Sequence, residues 1–62
     1  MKTAQQLVHF FQDLGMTDRS IGIMVGRGRE TICKIGNGQL DGSRTYARLL
    51  KLYRAYCNIQ EE

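Results

Sequence analysis

Apolar residues in this chain recur three and four positions apart, in four short runs, and nowhere alternate in twos. That spacing belongs to a helix with one buried face and excludes a half-buried strand. The first run is Leu7, Phe10, Phe11 and Leu14; the second is Ile21, Met24 and Val25. Ile32 and Ile35 make the third, and Tyr46, Leu49, Leu50, Tyr53 and then Tyr56 or Cys57 make the fourth. Gly15, Gly26 and Gly36-Asn37-Gly38 stand between them, residues that accept the positive φ at which helices end. The runs predict helices over about Thr3 to Leu14, Asp18 to Val25, Arg29 to Ile35, and Ser43 to near Asn58. Thr3 with Gln6 has the form of a capping box. Thr17 is an N-cap candidate followed by Asp18, and Gly28 or Arg27 opens the third helix. Ser43 is the N-cap candidate for the fourth. The expected fold is all-α, one compact domain over residues 1–62.

Size and charge narrow what such a fold can do. A chain of 62 residues buries a small core and is only marginally stable. With Cys33, Cys57 and one histidine, His9, it has neither the ligands of a metal site nor a disulfide framework. Two unpatterned cysteines suit a reducing cytosol. No apolar run is long enough to span a bilayer, and MKTAQQLVHFF, broken by Gln5, Gln6 and His9, does not read as a signal peptide. The net charge is +3, arranged as zero over residues 1–16, +2 over 17–38 and +1 over 39–62. A basic patch on so small a domain fits a polyanionic partner, although a charge of this size also fits an ordinary solvated surface.

The positive region contains VGRGRETICKIGNG, Val25 to Gly38, whose glycines invite a phosphate-loop reading. Gly26 to Thr31 lacks the Lys-Ser/Thr pair and the preceding strand of a Walker A loop. Gly36, Gly38 and Gly42 have the wrong spacing for a dinucleotide fingerprint, and no βαβ unit fits the chain. Two short helices joined by a glycine-containing turn account for the same residues. Gly26 supplies the positive φ, and Gly22 is the small residue where the helices come close. Ile21, Val25, Ile32 and Ile35 supply the buried faces, leaving the polar residues of the second helix outward.

Over Thr17 to Gly38, TDRSIGIMVGRGRETICKIGNG, and on into SRTYARLLKLY, the chain resembles the Cro/CI (lambda-repressor-like, XRE) helix-turn-helix regulators. It departs at Gly22, where that family usually has alanine. Glycine keeps the close approach at a cost of roughly 1 kcal/mol in helix stability. The resemblance implies a four-helix DNA-binding domain whose second motif helix reads bases in the major groove. By position that implicates Arg27, Arg29, Glu30, Cys33 and Lys34. Arginine at 29 can pair bidentately with guanine. Glu30 has two readings, acceptance from cytosine N4 or stabilisation of its own helix N-terminus. Arg19, Asn37, Ser43 and Arg44 correspond to phosphate-contacting positions, though each alone also fits a capping or solvated residue. Cys33 is a contact or filler rather than an activated thiol.

The function implied is a sequence-specific transcriptional regulator, a small phage or prophage Cro-like repressor in the bacterial cytoplasm that blocks an operator without a cofactor. A homodimer would set two recognition helices about 34 Å apart on a palindromic site. Tyr53, Tyr56 and Cys57 are the candidate dimer interface. The alternative is a protein-interaction module, antitoxin- or antirepressor-like, using the tyrosine-bearing last helix. An enzyme would need a nucleophile–base pair or metal ligands, and His9 has no such neighbours in the pattern. It reads as a partly exposed helix residue.

Overall fold

A computed structural model describes the backbone of residues 2–61 and the side chains of residues 2–57. The described chain is four helices: α1 (Ala4–Asp13), α2 (Asp18–Val25), α3 (Arg29–Gly36) and α4 (Ser43–Glu61). Among the described residues there is no strand, and no helix is long and apolar enough to cross a membrane.

The helix starts follow local chemistry. Thr3 caps α1 reciprocally with Gln6: its hydroxyl accepts the Gln6 N–H at 3.2 Å, and Gln6 Oε1 accepts the Thr3 N–H at 2.9 Å. Thr17 caps α2 by accepting from the Ser20 N–H at 3.1 Å. Ser43 differs from expectation. It is the first residue of α4, and its N–H donates to Asp41 Oδ1 at 3.0 Å. Asp41 therefore supplies the side-chain oxygen two residues before the helix, in the manner of an Asx turn. Gly42 between them is at φ +71°, and a Cβ there would lie 2.6 Å from Ala4 Cβ. The residue is buried where the α3–α4 connection crosses the start of α1, so both its φ and its size are fixed by packing.

The core consists of Ala4, Leu7, Val8 and Phe11 from α1, Ile21 and Val25 from α2, Ile32 and Ile35 from α3, and Leu49 from α4. On α1 the buried stripe is Ala4-Leu7-Val8-Phe11. Leu14, expected in it, is 43% exposed because it falls after the last helical turn. Met24 is also displaced, at 59% exposed. The inward stripe of α2 is Ile21, Gly22 and Val25, and this rotation turns Met24 out. On α4, Thr45 joins the stripe at 2% exposed beside Leu49, while Tyr46, Leu50, Leu52 and Tyr53 pack half-buried around the core. Removing a side chain as central as Phe11 would cost about 3–5 kcal/mol, a large share of what a domain this small holds.

Candidate nucleic-acid interface

The turn between α2 and α3 is where the glycines of the quoted stretch act. Gly26 closes α2 in the left-handed region at φ +70°, its N–H donating to the Gly22 carbonyl. Arg27 N–H donates to the same carbonyl at 2.8 Å. Gly22 faces the turn itself: a Cβ on it would stand 2.5 Å from the Arg27 carbonyl oxygen. The close approach thus lies between α2 and the turn backbone, one step earlier than a helix-to-helix contact. Gly28 then opens α3 as its N-cap without a side-chain bond.

With Ile32 and Ile35 completely buried, the face of α3 opposite them is set by helical geometry. Glu30, Cys33, Lys34 and Asn37 fall at i, i+3, i+4 and i+7 along it, and all four are exposed. Arg29 is exposed at the N-terminal end of this stripe. Four of the five expected base-reading residues, Arg29, Glu30, Cys33 and Lys34, therefore share one outward surface. Asn37 joins them, its amide donating to Cys33 Sγ at 3.6 Å. Glu30 is in the first turn of α3 and Lys34 in the last, each favourable to the helix dipole.

Arg27 is set apart. It is half-buried, and its Nε donates to Thr45 Oγ1 on α4 at 3.4 Å. It borders a groove of about 420 Å³ together with Thr31, Asp41, Ser43, Arg44 and Thr45. The structure thus gathers Arg27, Ser43 and Arg44 at one place, between α3 and the start of α4. Two guanidinium groups and the hydroxyls of Thr31 and Ser43 border this recess together with the apolar Ile35 and Leu40, while the buried Thr45 hydroxyl is taken up by Arg27. Asp41 is its one acid, and the Ser43 backbone N–H bond to its carboxylate holds that group's pKa below the ordinary value. Arg19 lies elsewhere, exposed on the first turn of α2 and outside this groove.

The third expected group, Tyr53, Tyr56 and Cys57, lies along the α1–α4 seam. Tyr53 packs edge-on against Phe10 with ring centroids 4.9 Å apart, and Lys2 Nζ lies 5.9 Å from the Tyr53 ring centre. Tyr56 tilts against Phe11 at 6.2 Å and keeps 37% of its surface exposed. The hydrogen bond with the Cys57 thiol, ahead of burial, pushes the Tyr53 hydroxyl above its ordinary pKa. These aromatic rings are engaged inside the domain.

Sequence reasoning missed the side chains that hold this unit from outside. Arg48 of α4 donates Nη1 to the Val25 carbonyl at 3.0 Å, capping α2. His9 Nε2 and Gln5 Nε2 of α1 meet the Gly36 carbonyl at 2.8 and 3.2 Å, capping α3. Thr45 orients Arg27. Only the helical phase of these residues was available in the sequence, since their partners lie between 18 and 31 positions away.

No family model, curated protein or solved structure matches the chain.

Proposed function

We propose that this protein is a sequence-specific double-stranded DNA-binding regulator of the Cro/CI (lambda-repressor-like) kind, in the manner of a small phage or prophage repressor. One observation carries the reading. A short helix preceded by a glycine turn buries two isoleucines completely and leaves a continuous polar stripe, Arg29, Glu30, Cys33, Lys34 and Asn37, with no packing duty. A helix of that form is suited to lie in a major groove with its N-terminal residues at base edges.

In this reading Arg29 pairs with guanine O6 and N7, and Lys34 follows further along the same groove. Glu30 keeps its two roles, acceptor for cytosine N4 and local partner of the helix N-terminus. Arg27 belongs with Ser43 and Arg44. Their recess offers donors to backbone phosphate, which fixes register without reading sequence. The regulator would work in the bacterial cytoplasm by occupying a palindromic operator as a homodimer.

The test is selection from a random-duplex pool at physiological salt, with the enriched sequences read out. A palindrome with half-sites one turn apart is expected. Salt-sensitive binding that enriches no motif would reduce the protein to a nonspecific basic domain and overturn the proposal.

A further inference from the structure

Besides the stripe it buries, α4 carries a second one. Arg48, Lys51, Leu52 and Ala55 fall at i, i+3, i+4 and i+7, on the side of the helix away from Tyr46 and Tyr53. Opposite them α2 contributes Ile23 and Met24, 71% and 59% exposed, the two highest values among the exposed large apolar side chains. Together these residues border one open groove of about 580 Å³ between the two helices. Scattered apolar residues on a surface are ordinary; a contiguous set within a polar rim marks a contact site.

The groove's own charges set the chemistry of its occupant. No acidic residue lines it, and α4 has none between Ser43 and Cys57. Its two charged residues, Arg48 and Lys51, are cations on the α4 wall, whereas the α2 wall is Ile23, Met24, Val25 and Gly26. Arg48 is already held in place, its Nη1 donating to the Val25 carbonyl at 3.0 Å. A guanidinium has further N–H donors, which can pair with a carboxylate while that cap stays made. Met24, unbranched and polarizable, adapts to the side chain it meets.

We infer that this groove docks a segment of another protein, an amphipathic helix with one apolar face and carboxylates along one flank of it. The apolar face covers Ile23, Met24, Leu52 and Ala55, and the small Ala55 lets the incoming helix come close. Its acids pair with Arg48 and Lys51. A helix lies in such a groove through anchors at i, i+3, i+4 and i+7. Cations on one wall alone suit a helix with an acidic flank better than a lipid surface, which presents headgroups on every side. Two copies meeting groove to groove would set cations against cations. The stripe of α3 does not line the groove and stays free, so docking here does not depend on DNA binding.

The experiment is panning of a random peptide library, displayed on phage, against the full chain. Enriched peptides should carry apolar residues at helical spacing flanked by Asp or Glu. A synthetic copy of the leading peptide should bind the parent in fluorescence anisotropy and shift the amide resonances of Met24 and Ala55. Ile23→Lys and Lys51→Glu should each weaken it at least about tenfold. Both side chains are exposed, so the thermal melts should match the parent's. Met24→Gln serves as the second variant should Ile23→Lys fail to fold. Exchanging a glutamate of the peptide for lysine should restore binding to Lys51→Glu. Basic or uncharged winners overturn the inference, as do peptides indifferent to Ile23→Lys and Met24→Gln. A library that yields no binder overturns it too; sedimentation and binding to phosphatidylglycerol vesicles then tell whether a second copy or a lipid surface covers Ile23 instead. A peptide that docks as expected on a chain that selects no DNA sequence would count against the regulator and leave this surface standing.

Discussion

Replacing a helical glycine by alanine ordinarily stabilises a protein, by about 1 kcal/mol in a helix interior. At Gly22 the structure reverses that sign. The new Cβ would sit 2.5 Å from the Arg27 carbonyl oxygen, where ordinary contact begins at 3.4 Å. The oxygen is on backbone, and the Arg27 N–H is tied to the Gly22 carbonyl at 2.8 Å, so the turn cannot withdraw without straining that bond. Overpacking of this kind costs about 1–3 kcal/mol, and a weakened turn hydrogen bond adds about 1. After the helix-propensity gain, Gly22→Ala should lose about 1–3 kcal/mol. In a domain of this length each kcal/mol moves the melting temperature by about 4–8 °C. The assay is thermal unfolding followed by far-UV circular dichroism, with a urea titration to confirm a lower midpoint at unchanged slope. A variant melting at or above the parent would refute the argument. It would mean that the turn relaxes freely enough to admit a Cβ at this position.

Other outcomes follow from single features. Gly26→Val should destabilise by about 1–3 kcal/mol, because a β-branched residue resists φ +70° and its Cβ would meet Arg48 Nη1 at 2.9 Å; an unchanged melt would contradict the turn. Tyr46→Phe should be neutral or mildly stabilising, since the Tyr46 hydroxyl oxygen is buried without a partner; calorimetry showing a loss above about 1 kcal/mol would mean the hydroxyl is satisfied. Asp41 has its pKa lowered by the Ser43 N–H bond, so its contribution is present above the unfolded-state pKa and disappears as pH falls through the folded value. Melts taken from neutral to acidic pH should therefore converge for the parent and Asp41→Ala at low pH. Arg29→Ala should relax preference at one base pair per half-site, whereas Arg44→Ala should weaken binding to every sequence and flatten its salt dependence; repeated selection and salt titrations separate the two.

The local signals were legible because their causes are local. The capping box of Thr3 and Gln6, the Thr17 cap, and Gly26 as the end of α2 each act within four residues. Phase was harder. Leu14 and Met24 sit at helical spacing yet are exposed: Leu14 falls after the last turn of α1, and on α2 the inward position is taken by Gly22. Apolar spacing alone does not count a glycine as an inward position. The tyrosines of α4, expected in an apolar stripe and as a dimer interface, pack against Phe10 and Phe11 of α1, long-range contacts that helical spacing does not reveal, and Tyr56 stays exposed.

The contacts that sequence could not give have a common effect. The carbonyl end of α2 is capped by Arg48 of α4, that of α3 by His9 and Gln5 of α1, and Arg27 in the turn is held by Thr45 of α4. The α2–turn–α3 unit is thus braced by polar side chains from the two flanking helices as well as by its own four buried apolar residues. None of the bracing contacts uses Arg29, Glu30 or Lys34. Substitution at Arg29 should therefore move stability little, whereas Glu30 and Lys34 each lend α3 a modest helix-dipole contribution of about 0.3–1 kcal/mol. The side chains of α1 and α4 that support this unit and those that α3 displays are thus different residues. That division suits the proposed function, in which the outward residues of a braced helix would meet DNA without also holding the fold together.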